Sequence, residues 1–282
     1  MSEILITGCK GMLGSDLAQA GVALRHDIWA CGTEQFDITD KSSAYQYIAS
    51  RKPKIIIHSA AYTDVDLCEK NRERAYNVNV LGTSNLVTIS RQLDIALLFF
   101  STDYIFDGSN SSGYEESAEG KPVNYYGETK LEAERIISRE LEKYWIVRTS
   151  WLFGQNGRNF VKTIVNKAKE TTELSVVDDQ VGSPTFTKDL AKATFGLISD
   201  PAAEYGIYHI TNSEYCTWYE FAETILKEQN LGCQLTPIQS KDLNRAAIRP
   251  SCSILKNNKW LKLGYAPLRS YKSALKDYLR LL

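Results

Sequence analysis

Ile4-Leu5-Ile6-Thr7-Gly8-Cys9-Lys10-Gly11-Met12-Leu13-Gly14 is the stretch that decides the fold. The apolar run Ile4–Thr7 predicts a strand, the three glycines a tight loop, and the pattern that follows, through Ala23, a helix. Strand, glycine loop and helix in that order form the context of a dinucleotide-binding turn. Glycine lets backbone N–H groups approach a pyrophosphate at the helix N-terminus, where the macrodipole favours negative charge. An ordinary glycine-rich turn would look the same in isolation, so Gly8, Gly11 and Gly14 must be weighed with what surrounds them.

Outward from that turn, short apolar runs alternate with helical patterns. Ile28–Cys31, Lys54–His58, Ala96–Phe100 and Trp145–Val147 predict further strands. Between them lie a helix with Thr39 or Asp40 as N-cap running to Ser50, and one through Asn77–Val80 to Arg91. Continuous apolar strands separated by helices predict a parallel sheet covered on both faces. Strand ends carry small or hydroxyl residues: Gly8, then Ala60-Ala61-Tyr62, then Ser101-Thr102-Asp103. Ligands of open parallel sheets bind outside the carboxyl ends of the strands.

With 282 residues and a formal net charge of -1, the chain is long enough for a full core plus a smaller lobe, and lacks the basic excess of a nucleic-acid or membrane-surface binder. Six scattered cysteines, none in a C-x-x-C pair, suggest a reducing compartment. Three isolated histidines argue against zinc, and no metal site is expected. Met1-Ser2-Glu3 leads directly into an apolar run without a basic segment, so no signal peptide is expected, and the longest apolar run is too short to span a bilayer. A soluble cytoplasmic protein is the expectation.

Chemistry enters at Tyr126-Gly127-Glu128-Thr129-Lys130. Residues four apart share a helix face, so the Tyr126 phenol and Lys130 ammonium stand together. A nearby cation favours the phenolate, so Lys130 is expected to lower the proton affinity of Tyr126 and suit it as a general acid toward a carbonyl oxygen. Taken alone, the pair also fits a plain amphipathic surface helix. Thr102, beyond the expected end of strand four, adds a hydroxyl to hydrogen-bond a substrate ketone, and Lys130 would also hold a cofactor ribose.

Longer motifs carry a family resemblance. The glycine spacing G-x-x-G-x-x-G is similar to that of extended short-chain reductases. Phe99–Gly108, Ala60–Asp66, Asn79–Thr83, Pro122–Lys130, Arg148–Gly154, Asp179–Thr185 and Arg249-Pro250 with Ser253 resemble the dTDP-4-dehydrorhamnose reductase family. That resemblance implies a Rossmann-type, doubly wound α/β fold, with residues 1–150 binding the dinucleotide and residues 151–282 mainly forming a smaller nucleotide-sugar lobe packed on the first. It implies NAD(P)H-dependent reduction of the 4-keto group of dTDP-4-dehydro-L-rhamnose to dTDP-L-rhamnose, for surface polysaccharide. Thr102, Tyr126 and Lys130 fall on catalytic positions. Gly8, Gly11, Met12, Leu13, Asp37, Ile38, Ala61, Tyr62 and Thr63 fall on cofactor positions, with Gly14, Ala60 and Ser101 completing the groove. Thr102, Asp103 and Trp151 fall on substrate positions, and Arg249 is the candidate for the diphosphate.

Two departures bear on this. Where members that favour NADH carry an acid at the end of strand two, this chain has Gly32-Thr33, with Glu34 further on. Loss of the carboxylate removes repulsion toward a 2′-phosphate, though no Arg stands beside it; NADPH is favoured and NADH remains open. Ala133 replaces a common Gly, which favours the helix. Some members are described as Mg2+-linked homodimers; no acidic residue here matches that role. Arg249 also fits a structural Arg-Pro turn, Trp151 a core position, and His209 and Cys9 read as packed core and filler. Two other functions stay open: a nucleotide-sugar epimerase or dehydratase, and a non-catalytic subunit resembling the β subunit of methionine adenosyltransferase.

Overall fold

The computed structural model describes residues 3–282. Met1 and Ser2, at the head of the expected leaderless start, lie outside the described residues.

Six parallel strands form one sheet: β1 (Glu3–Thr7), β2 (Asp27–Cys31), β3 (Ile55–His58), β4 (Ala96–Thr102), β5 (Tyr144–Thr149) and β6 (Gly206–His209), in the order β6-β5-β4-β3-β1-β2. Successive side chains along a strand point to opposite faces. Thus Ile4 and Ile6 join one core with Ile57 and Leu98, while Leu5 joins the other with Ile56, Leu97 and Phe99. Both faces are apolar because helices cover both. Ile56 is fully buried at the centre; Ile56→Ala would cost about 2–5 kcal/mol.

Strand order reverses between β1 and β3, so the connections leaving the carboxyl ends of these two paired strands run in opposite directions and open a crevice between them. Gly8 sits there at φ +72°, and a Cβ on it would lie 2.7 Å from the Ala60 backbone nitrogen. Only glycine meets both demands.

Three expected boundaries move. β4 continues past Phe100 because Ser101 and Thr102 keep register with Arg148 and Thr149. The helix expected from Tyr126 spans Tyr125–Glu140, since Asn124 is its N-cap and its side-chain oxygen accepts from the Gly127 N–H at 2.8 Å. The division at residue 150 is crossed by the sheet itself: β6 pairs with β5, and the helix Thr187–Ser199 lays Leu190, Phe195 and Leu197 into the first core. Burying those side chains is what joins the halves. The remaining lobe has its own core of Phe153, Val161, Phe221, Tyr271 and Tyr278, beside a parallel pair, Glu173–Val177 with Gln234–Ile238. No helix among the described residues is long and apolar enough to cross a membrane.

Candidate active site

A cleft of about 400 Å³ opens at the carboxyl ends of β1, β3, β4 and β5. Gly11, Met12, Leu13, Gly14, Ala61, Thr63, Ser101, Thr102, Asp103, Tyr126, Lys130 and Trp151 all line it. Of the other expected residues, Gly8 and Ala60 pack together beneath it. Tyr62 does not line it; its N–H donates to Asn79 Oδ1 (2.8 Å) and its carbonyl accepts from Asn79 Nδ2 (3.0 Å). Asp37 and Ile38 lie off its wall: the Asp37 carboxylate accepts from the Thr39 N–H and hydroxyl, and Ile38 packs where a Cβ on Gly82 would fall.

The helix Tyr125–Glu140 is jammed against the turn Asp103–Ile105 that follows β4. A Cβ on Gly127 would lie 2.1 Å from the Tyr104 carbonyl oxygen, so glycine after Tyr126 permits the approach. Asn124 also donates to Ile248 O (2.9 Å), and the Tyr125 N–H donates to Glu69 Oε1 (2.7 Å). One turn into the helix, Asn79 Nδ2 donates to Thr129 Oγ1 (3.0 Å) and to Tyr62 O (3.0 Å). Asn79 therefore clips the loop after β3 to the helix Tyr125–Glu140. It lies in a π-helical turn, Asn77–Gly82, a feature frequent at functional sites. The site reading of the sequence missed Asn79 as a positioning residue; its only signal was membership of the motif Asn79–Thr83.

Lys130 is buried, with Nζ 3.8 Å from the centroid of the Phe99 ring. Its neighbour one turn on, Glu134, is committed to Arg148, which donates to it at 2.7, 3.0 and 3.2 Å. Burial pushes Lys130 down to about 7, only partly opposed by the Glu134 charge. Tyr126 is raised above the ordinary phenol value, chiefly by burial and next by the Asp103 charge, while the Thr102 hydroxyl pulls the other way. The expected lowering of Tyr126 by Lys130 is therefore not found. Desolvation disfavours the ionised form of each group, and for both it is the largest effect. Tyr126 is held as the proton-bearing phenol.

Asp103 is buried and pushed up to about 7, again by burial first. The Thr102 hydroxyl donates to Asp103 Oδ1 (3.0 Å) and accepts from the Tyr104 N–H (3.2 Å), while Asp103 Oδ2 has no hydrogen-bond partner. A hydroxyl has one proton. Thr102 can offer it to a ketone only when Asp103 carries a proton of its own or the threonine turns.

Trp151 lines the cleft in the left-handed region (φ +48°) and stacks on Trp218, ring centroids 3.5 Å apart and planes at 4°. Gly182 makes room, since a Cβ there would lie 2.4 Å from the Trp151 ring. Trp218 and Tyr104 also line a second cavity of about 340 Å³, with Lys167, Arg245 and Arg249, which extends the cleft. Arg249 is gripped by Asp66 (2.7 and 2.8 Å) and by Ala247 O (2.7 Å), and its guanidinium holds the Asp66 carboxyl well below the usual range. Arg245, on the same wall, makes no ion pair among the described residues. His209 is buried in the core, but not fully satisfied there: Nε2 meets Arg148 at 3.4 Å while Nδ1 has no partner, and burial favours the neutral ring, pushed down to about 3.

The cleft suits a dinucleotide. The helix Met12–Ala23 starts at Gly11 with no side-chain cap, leaving first-turn N–H groups open toward it. Ser101 Oγ and Thr149 Oγ1 are buried on its wall without partners. No group of three or more His, Cys, Asp or Glu side chains converges as metal ligands among the described residues.

A family model described as the RmlD substrate binding domain matches residues 1–282. The spore coat polysaccharide biosynthesis protein SpsK of Bacillus subtilis is 35% identical over 99% of this chain and 98% of its own length. A dTDP-4-dehydrorhamnose reductase of Aggregatibacter actinomycetemcomitans is 41% identical over 81% of this chain and 79% of its own. Among solved structures, a dTDP-4-dehydrorhamnose reductase from Bacillus anthracis in complex with NADP superposes with a TM-score of 0.96 at 38% identity, covering all of both chains.

Proposed function

Since the chain belongs to the dTDP-4-dehydrorhamnose reductase family, we propose that it reduces the 4-keto group of dTDP-4-dehydro-L-rhamnose, giving dTDP-L-rhamnose, with NADPH or NADH. The observation that carries this is one cleft lined together by the open start of the first helix and by Thr102, Tyr126 and Lys130.

The nicotinamide, when bound, supplies the hydride. Gly11, Met12, Leu13 and Gly14 would hold its diphosphate on backbone N–H groups, and Lys130 its ribose hydroxyls. Tyr126 donates its proton to the ketone oxygen, which Thr102 also hydrogen-bonds. Donors fixed in a dry cleft stabilise developing negative charge there without having to reorganise. The phenolate left behind is steadied by Lys130 and takes its next proton from solvent. Trp151 and Trp218 form a wall for the sugar. Arg245 is the better candidate for the diphosphate of the substrate, with Arg249, already paired to Asp66, shaping the loop beside it.

Homodimerisation and Mg2+ remain readings from family resemblance alone. The test is to mix the protein with enzymatically prepared dTDP-4-keto-6-deoxysugar, its epimerase, and NADPH or NADH. Steady stoichiometric loss of reduced nicotinamide supports the reductase. Sugar conversion without net cofactor consumption would instead indicate an epimerase, and no turnover at all the non-catalytic subunit.

A further inference from the structure

A buried ion pair stands one turn beyond Lys130, and the reaction above gives it no task. Tyr126, Lys130 and Glu134 recur every four residues on the helix Tyr125–Glu140, so they share one face. On such a face a lysine and a glutamate one turn apart can pair with each other. Here Arg148 of β5 takes the glutamate instead. Its Nε donates to the two Glu134 oxygens at 3.0 and 3.2 Å, and a terminal nitrogen donates at 2.7 Å. A fork of this kind fixes the plane of the carboxylate. The guanidinium is held in turn. Its other terminal nitrogen donates to Glu116 O (3.3 Å), and the Phe106 ring lies 5.4 Å away. Arg148 itself keeps register with Ser101 of β4 and His209 of β6.

Stability alone does not account for the pair. Only 4% of either side chain is exposed, and the cost of drying two charges roughly cancels their attraction. The surroundings of Lys130 suggest a different task. His58 of β3 is buried between the hydroxyls of Thr7 (2.8 Å) and Thr83 (3.1 Å) and, pushed down to about 3, brings no charge. β4 offers the Phe99 ring, and Asp103 beyond it and Tyr126 line the same cleft as the lysine. Glu134 does not line that cleft, so it is the carboxylate that could draw the ammonium away from it.

We propose that Arg148 is a positioning residue for the reduction: by holding both oxygens of Glu134 it keeps the Lys130 ammonium turned into the cleft, toward the ribose and the phenolate, instead of back along its own helix. The proposal rests on the reductase reading above for the task of Lys130. Arg148 does not touch the reacting atoms; it acts through Glu134. The glutamate still lends the lysine a weakened charge, which opposes part of the effect of burial. Without the arginine that charge would act undiluted, one turn from Lys130.

Heteronuclear NMR of the Lys130 Cε and Nζ in the cofactor-free protein, beside steady-state kinetics, tests this in Arg148→Met and in Arg148→Met/Glu134→Met. In Arg148→Met the freed carboxylate should raise the Lys130 titration midpoint by about 1–3 pH units. Its kcat should fall about a hundredfold, the cost of a displaced reacting group. Removing the carboxylate as well should return the midpoint to the wild-type value or below it and restore kcat to within about tenfold. A pair that only packs the helix would leave the midpoint unmoved and give no rescue. Two methionines fill the place of the buried pair without leaving a charge unpaired, so the double variant should fold even where Arg148→Met does not, and its midpoint and turnover then carry the test. An unmoved midpoint in Arg148→Met overturns the proposal, as does a double variant that stays inactive or fails to fold. A wild type without turnover on either cofactor would overturn the reductase reading instead, and the midpoints would still decide whether Arg148 governs the lysine.

Discussion

Replacing Lys130 with methionine should abolish reduction and make the protein more stable. Lys130 is 3% exposed, has no carboxylate of its own because Glu134 is held by Arg148, and rests against Phe99. Its proton affinity falls from an ordinary 10.5 to about 7 on folding. At about 1.4 kcal/mol per decade, that places roughly 4–5 kcal/mol against the charged form as an upper bound. Methionine keeps the length and apolar stem, while the cation–ring contact, worth about 1–2 kcal/mol when desolvated, is lost. The net gain is about 2–4 kcal/mol, or roughly 5–10 °C in Tm for a chain of this size.

The sign depends on pH. The unfolded chain keeps this proton up to about pH 10.4, while the folded one releases it near 7. Across that window the unfolded state binds more protons, so the wild type gains stability as pH rises, and below 7 the penalty is complete. Lys130→Met should therefore show its largest advantage at about pH 6 and lose it toward about pH 10. Calorimetric Tm values at those two pH values decide it. A variant less stable than the wild type at the lower pH, or an equal difference at both, would refute the burial account.

Asp103→Asn should retain activity at higher pH than the wild type. The wild-type carboxyl ionises near 7, and Thr102 then gives its one proton to it rather than to the ketone; a pH profile of kcat/KM that falls at the same alkaline point in both proteins would contradict this. Gly182→Ala sets a methyl 2.4 Å from the Trp151 ring and so displaces a wall of the sugar site. Steady-state kinetics should show KM raised about tenfold with kcat nearly kept; unchanged KM would remove Trp151 from the substrate site. Asp66→Asn frees one arm of Arg249 and should weaken substrate more than cofactor in binding titrations, because the pair fixes the loop at the second cavity; equal weakening of both would contradict that placement.

Much of this was legible in the chain. Continuous apolar runs and helical patterns located the sheet strands and main helices to within a few residues, because each is written in consecutive side chains. The Gly8–Gly14 turn and the one-turn spacing of Tyr126 and Lys130 are local as well. What escaped joins distant positions. Arg249 meets Asp66 across 183 residues, and Trp218 stacks on Trp151 from another element. Lys10 reaches Glu34 over a helix and a strand. β6 lies far along the chain from the other sheet strands, and only its pairing with β5 assigns it to the main sheet. The proton affinity of Tyr126 was misjudged for the same reason. Spacing reveals a neighbouring cation, but burial, the larger effect, is a property of the assembled cleft.

The central claim is that the Tyr126 phenol delivers the proton to a bound ketone. Tyr126→Phe should bind NADP+ and the dTDP-sugar within about threefold of wild type, since it loses only a hydroxyl, while kcat for the keto-sugar falls by about 10²–10⁴. The decisive measurement is turnover of that variant, followed by absorbance of the reduced nicotinamide alongside a cofactor titration. Near-complete loss of turnover with cofactor affinity intact is the predicted result. Turnover like that of the wild type would contradict the account.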